Sequence, residues 1–183
     1  GIRDRSPSRG LGDVYKRQFP DGEPKEYLYD LMRDYPQRGG KRFRPVLVLL
    51  CCELFGGDPE DALTSAVALE LFHNFALVHD AIADESLLRR GKPTLHLKHG
   101  IALALNSGDA LLGLVHETLL KNHSRLSSAL SLRIHRHLNN VMLATFEGQA
   151  LDIGWVAKRT FPDRAEYREM IGRKTGCYSG RGP

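Results

Sequence analysis

The 183-residue chain is 42% hydrophobic and 26% charged, the balance of a globular domain with one sizeable core, which sets aside fibrous and intrinsically disordered classes. Its formal net charge of +4 gathers at the N-terminus, where Arg3, Arg5, Arg9, Lys16 and Arg17 face only Asp4 and Asp13. The rest is close to neutral and offers no bulk nucleic-acid footprint.

Residues 1–18 are rich in Arg, Gly and Ser without apolar periodicity, and read as a disordered or non-native leader. No secretory h-region follows, and no apolar run reaches the ~20 residues of a membrane span. Pro24 to about Asp34 is a short helix closed by Tyr35-Pro36, and Arg44-Pro45 to Phe55 a second one ended by Gly56-Gly57. Cys51 and Cys52 lie in that apolar run and read as small packed hydrophobes in a reducing, cytoplasmic compartment.

Asp58-Pro59-Glu60-Asp61 caps a long helix running towards Asp84, with its acids complementing the helix dipole. Apolar residues surround that helix, so Glu70, His73, Asn74, His79, Asp80 and Asp84 need a partner, a solvated cleft or a ligand. Thr94 to Gly100 is a short element. Ile101–Leu120, Leu126–Ile153 and Arg164 to about Lys174 follow as helices, and no period-2 run marks a strand. The fold class expected is all-α, an antiparallel helix bundle around a central cleft, with a single domain over residues 19–177 and a Gly/Pro-rich tail at 178–183. Both ends suggest a fragment.

The chemistry concentrates in His79 to Thr94, HDAIADESLLRRGKPT. Asp80 and Asp84 stand one helical turn apart on one face. Two hard oxygen ligands of this kind suit Mg²⁺, which fills its remaining shell with water and substrate phosphate. Arg89-Arg90 follow, and guanidinium forks match phosphate oxygens. Carboxylates for a metal and arginines for phosphate, a few residues apart, point to diphosphate chemistry.

With GGKRFRP at Gly39–Pro45, ELFHNFALVHDAIAD at Glu70–Asp84, RRGKPT at Arg89–Thr94, SGDALL at Ser107–Leu112, EGQALD at Glu147–Asp152 and KTG at Lys174–Gly176 in this order, the chain resembles the N-terminal part of a trans-type polyprenyl diphosphate synthase of short-chain, farnesyl/geranylgeranyl type. The resemblance implies prenyl transfer: Mg²⁺-assisted ionisation of an allylic diphosphate and its condensation with isopentenyl diphosphate. It further implies an isoprenoid-synthase-like all-α fold and a homodimer.

Carried over position by position, the resemblance implies that Lys41, Arg44 and His73 bind isopentenyl diphosphate. Asp80 and Asp84 would ligate the Mg²⁺ ions that clamp the allylic diphosphate. Arg89 would approach the allylic and Arg90 the isopentenyl diphosphate, Lys174 and Thr175 would contact the allylic one, and Asp152 lies where the family keeps an acid near the metals. Asp80, Asp84, Arg89 and Lys174 form the implied catalytic set. Phe75, five residues before the first Asp, and Ala76 occupy chain-length positions, where a large side chain implies a farnesyl- to geranylgeranyl-length product.

Taken singly, these residues have plainer readings. Asp80 and Asp84 fit a solvated helix face, Arg89-Arg90 a surface loop or helix C-cap, Lys41, Arg42 and Arg44 a basic helix start, His73 a core histidine and Phe75 core packing; Asp152 fits a structural role. Gly39-Gly40 favours close backbone approach to a phosphate.

The family's DDxxD motif stands here as Asp80-Ala81-Ile82-Ala83-Asp84, without its second Asp. Position 81 is rotated about 100° from position 80, so an Asp there would support the ligands rather than join them. The chain also ends before a second Asp-rich motif, so this piece by itself is expected to be inactive. A non-catalytic homologue, either binding prenyl diphosphates or partnering a catalytic subunit, stays open beside the enzyme. So do a helical interaction module and, less in keeping with Lys41 and Arg44, a terpene cyclase.

Overall fold

A computed structural model describes Tyr15 and residues 18–176; the rest of the expected leader, Cys177 and the tail lie outside the described residues. Chain packing separates two compact units, Gly1–Ser131 and Leu132–Pro183. The fold is all-α.

In the first unit a π-helical turn, Lys25–Tyr29, enters α1, Asp30–Gln37. The sequence predicts an end at Tyr35-Pro36, yet α1 runs to Gln37 with Pro36 inside it. So near the C-terminus, proline forfeits only one late hydrogen bond, and the helix tolerates it. Then come α2, Phe43–Leu54, and α3, Pro59–Ala83. The Asp58 side chain caps α3 by accepting from Glu60 N (2.9 Å), with Pro59 in the first turn.

After α3, Leu88–Arg89 (β1) pairs antiparallel with Lys92–Pro93 (β2), in register Arg89 to Lys92. Two residues per strand carry no readable periodicity, which is why the sequence shows none. α4 (Leu95–His99) and α5 (Ile101–Leu120) follow, then a 3₁₀ turn at Lys121–Ser124.

The core forms where α3 packs on α5 and α2. Ala66, Val67, Leu71, Phe72, Val78 and Ala81 of α3, with Ala104, Leu111 and Val115 of α5, are all at most 1% exposed. This burial bears on the expectation that no apolar run reaches the length of a membrane span. By length and composition α3 alone among the described helices could cross a membrane, with 56% of its most apolar window buried inside the fold. A helix enclosed by neighbours needs apolar residues all round, as a membrane helix does. The cysteines also differ: Cys51 is exposed, on the side of α2 away from buried Pro45 and Leu49, and Cys52, near the helix end, is half-buried. Tyr15, inside the expected leader, is 2% exposed, edge-on to Phe19, and its hydroxyl accepts from Asn74 Nδ2 (3.0 Å).

The second unit takes most of α6, Ser128–Lys158, then α7, Arg164–Ile171, and a π-helical turn, Gly172–Gly176. Asp163 and Glu166 make a reciprocal capping box at the start of α7.

Leu71→Ala should lower the unfolding free energy by about 2–5 kcal/mol, as a buried leucine truncation does, and Asp58→Ala by about 1 kcal/mol through loss of the α3 cap. Urea denaturation of both variants measures the two effects.

Candidate active site

Asp80 and Asp84 stand at the C-terminal end of α3, with Asp84 N donating to Asp80 O at 2.8 Å, so they are one turn apart as the sequence predicts. Asp80 is half-buried and Asp84 exposed, whereas Ala81 is 1% exposed and turned into the core. Among the described residues no group of three or more His, Cys, Asp or Glu gathers at one point. Two hard carboxylates with one open side nevertheless fit Mg²⁺, which ordinarily takes one or two protein carboxylates and completes its shell with water and substrate phosphate.

His79 precedes this pair. Its Nε2 lies 3.2 Å from Asp109 Oδ1 on α5, and its ring packs 4.5 Å from that of Phe75. Gly108 makes this possible, since a Cβ there would sit 2.6 Å from His79 Nε2. Burial lowers the His79 pKa, with Asp109 and Asp80 pulling the other way. Phe75 is 6% exposed and stacked on Phe72, at 5.8 Å between ring centres; Ala76 is half-buried.

The RRGKPT segment becomes the β1–β2 hairpin. Its tip is Arg90-Gly91, both at positive φ (53° and 73°), as a tight right-twisting hairpin turn requires. The GGKRFRP segment leads into α2, with Gly39 and Gly40 also at positive φ (82° and 150°). Space around the two glycines differs, with nothing within 4 Å of a Cβ on Gly39. A Cβ on Gly40 would meet the Arg90 guanidinium at 2.9 Å, so the space is filled by Arg90. Arg90 Nη1 donates to the carbonyl oxygens of Tyr35 (3.0 Å) and Gly39.

Arg44 Nη1 lies 3.4 Å from His73 Nε2, so two residues read as partners on one diphosphate do meet. Burial, followed by the charges of Arg44, Arg90 and Arg89, pushes the His73 pKa down to about 4. Of the three arginines, Arg44 is the one in contact with the imidazole. Arg89 Nε is buried without a hydrogen-bond partner among the described residues, an unmet donor of the sort an anion satisfies. Lys41 is exposed.

In the second unit Lys174 Nζ lies 2.6 Å from Asp152 Oδ2, and Thr175 is exposed. Arg173 bridges Glu147 (2.5 Å) and Glu169 (2.8 Å). The turn bearing Lys174 rests directly on Gly148, where a Cβ would lie 2.3 Å from Lys174 N. EGQALD and KTG are thus neighbours, the glycine supplying room and the acids supplying anchors.

Residues 25–183 match the family described as polyprenyl synthetase. The chain belongs to the polyprenyl synthetase family. It is 36% identical to the geranylgeranyl pyrophosphate synthase of Geoglobus acetivorans over 98% of this chain and 54% of that protein. A short chain isoprenyl diphosphate synthase of Methanothermobacter thermautotrophicus is 40% identical over 76% of this chain and 42% of its own length. The crystal structure of geranylgeranyl pyrophosphate synthetase from Pyrococcus horikoshii Ot3 superposes with a TM-score of 0.87 at 36% identity, over 94% of this chain and 51% of that one. The chain therefore spans about half the length of the curated relatives it matches.

Sequence reasoning missed the pairing of Arg38 with Asp34, and singled out Glu70 only as a polar residue on α3 in need of a partner. Asp34 and Arg38 are spaced i, i+4, the separation of a helical ion pair, and they do pair. Glu70 is 7% exposed; burial raises its pKa, while Arg90, Arg44 and Arg42 oppose that. It is a buried acid on α3 within electrostatic reach of these arginines.

His73 should stay neutral through pH 5 in an NMR titration, and added inorganic diphosphate should raise its pKa, because an anion offsets the neighbouring arginines. A depressed histidine pKa leaves the unfolded state binding the extra proton. The His73 contribution therefore costs stability progressively as pH falls from about 6.5 towards about 4, and is absent above that window.

Proposed function

We propose that the protein carrying this chain is a short-chain prenyltransferase that elongates an allylic diphosphate with isopentenyl diphosphate. The observation that supports it most is the meeting of Arg44 with His73, together with the unmet donor of Arg89, in the same compact unit as the Asp80–Asp84 pair. Fixed cations at a half-buried position call for a polyanion.

In this reading Lys41, Arg44, His73 and Arg90 hold the isopentenyl diphosphate. Arg89 holds the allylic diphosphate, and Asp80 and Asp84 would hold Mg²⁺. Bound Mg²⁺ supplies charge stabilisation to a departing diphosphate. The arginines orient the two diphosphates and offset negative charge as the allylic C–O bond ionises. The isopentenyl double bond then attacks the allylic cation, and loss of a proton restores an alkene. No protein nucleophile takes part. His73, kept neutral by its surroundings, orients a phosphate oxygen by hydrogen bonding and adds no charge. Phe75 and Ala76 lie on the buried stretch of α3, where a large ring shortens the space for the product chain; homodimer assembly belongs to the same reading.

A second reading, a prenyl-diphosphate-binding partner subunit without catalysis, is favoured by Ala81, where the family motif has its second Asp. Incubating the full-length protein with labelled isopentenyl diphosphate, Mg²⁺ and allylic primers separates the two. Mg²⁺-dependent elongation is expected, with kcat lowered about 10²–10³-fold by Asp80→Asn, the scale for removing one charge-stabilising group. No elongation in either the natural protein or its Ala81→Asp variant would reject the enzyme reading. Phe75→Ala should shift products to longer chains on chromatography.

A further inference from the structure

The end of α1 and the β1–β2 hairpin exchange arginines. Arg38, just past α1, sends its guanidinium into the hairpin: Nη1 donates to the carbonyl oxygens of Arg89 (3.0 Å) and Lys92 (3.2 Å), and Nη2 to that of Pro93 (2.7 Å). Arg90, at the hairpin tip, sends its own back to the carbonyl oxygens of Tyr35 and Gly39. Each segment is thus held by a side chain of the other.

Arg38 is built in deliberately enough to need explaining. Its side chain is 2% exposed, its Nε pairs with Asp34, and its guanidinium lies 4.7 Å from the centre of the Tyr35 ring. The second Asp34 oxygen accepts from Lys98 Nζ of α4 at 3.1 Å. The two cations hold the Asp34 pKa below its usual value, although burial alone would raise it. Burying a guanidinium is expensive unless every donor is answered, and a two-stranded ribbon this short is marginal by itself. The ribbon gains its fixed shape from Arg38. A lysine, as a single point donor, could not span three carbonyls in this way.

We infer that Arg38 is a positioning residue that sets the spacing between two diphosphate-binding segments, Gly39–Arg44 and Arg89–Pro93, with Asp34 holding it in place. The inference rests on the functional reading above, in which those segments bind the two substrates. With its donors directed to Asp34 and the hairpin carbonyls, Arg38 acts through Arg89 and Arg90 and does not touch substrate.

The test uses the full-length protein and its Arg38→Lys, Asp34→Asn and Arg89→Met variants. Steady-state kinetics, thermal unfolding, inorganic diphosphate titration and amide hydrogen exchange over residues 88–93 are measured on each. Arg38→Lys should lower kcat about 10–100-fold, the scale of misplacing reacting groups from a distance, with KM values changing less. Hairpin amides should exchange faster while the unfolding midpoint of the remainder is kept. Asp34→Asn, a milder change that keeps the guanidinium, should move kcat and exchange in the same direction by less. Arg38→Lys with kcat and hairpin exchange like the parent would overturn the inference. So would losses in the Arg38 and Asp34 variants that follow the folded fraction alone. If the parent neither elongates nor binds diphosphate, or Arg89→Met binds it as the parent does, the functional reading fails first and the inference falls with it. Binding lost in Arg89→Met together with an unaltered Arg38→Lys overturns the inference alone.

Discussion

Mutual repulsion among arginines is the constraint from which the first unit follows. Like charges repel one another in a half-buried setting, and burial together with the charges of Arg44, Arg90 and Arg89 lowers the pKa of the one imidazole of His73. The fold answers with oxygen: carbonyls of Tyr35 and Gly39 accept from Arg90, and Glu70 is buried on α3, where burial raises its pKa against the opposing charges of Arg90, Arg44 and Arg42. The balance is incomplete, since Arg89 Nε keeps an unmet donor among the described residues. An arriving diphosphate would relieve repulsion as well as form bonds.

That arrangement needs a rigid floor, and α3 is the floor. Enclosed by α2 and α5, it holds Glu70, His73, Asn74 and Asp80 along one length of helix at fixed spacing. The polar residues meet different neighbours because those neighbours arrive from different directions: Arg44 from the start of α2, Asp109 from α5 and the hairpin from beyond the helix end. Glycine decides where they approach most closely. Gly108 admits His79 and Gly40 admits Arg90.

Much of this was legible before any coordinates. The caps and apolar runs locate α2, α3 and α5 to within a few residues, because Pro, Gly and Asp at helix ends act locally. The Asp80–Asp84 spacing and the meeting of Arg44 with His73 follow from helical periodicity and from motif order. What stayed hidden depends on contacts distant in sequence. Arg38 looks like a surface residue ahead of two glycines until the hairpin closes on it, and nothing local tells that the Arg90 guanidinium lies against Gly40. A two-residue strand pair has no period to detect. The apolar wrap of α3 reads alike for a core and for a membrane, and only its packing partners tell them apart.

The same helix defines what Ala81 can mean. At 1% exposure it faces away from the open side that Asp80 and Asp84 share. A carboxylate there would lie in the core, where it would need hydrogen-bond donors to stay charged, and could influence a metal only through its neighbours. Alanine in that place lacks the family motif's second acid and leaves the Asp80–Asp84 pair standing. The motif is therefore altered in its electrostatics while the geometry of its exposed face is kept. On this geometry the substitution bears on how strongly the pair would hold Mg²⁺ rather than on whether it has the shape to do so.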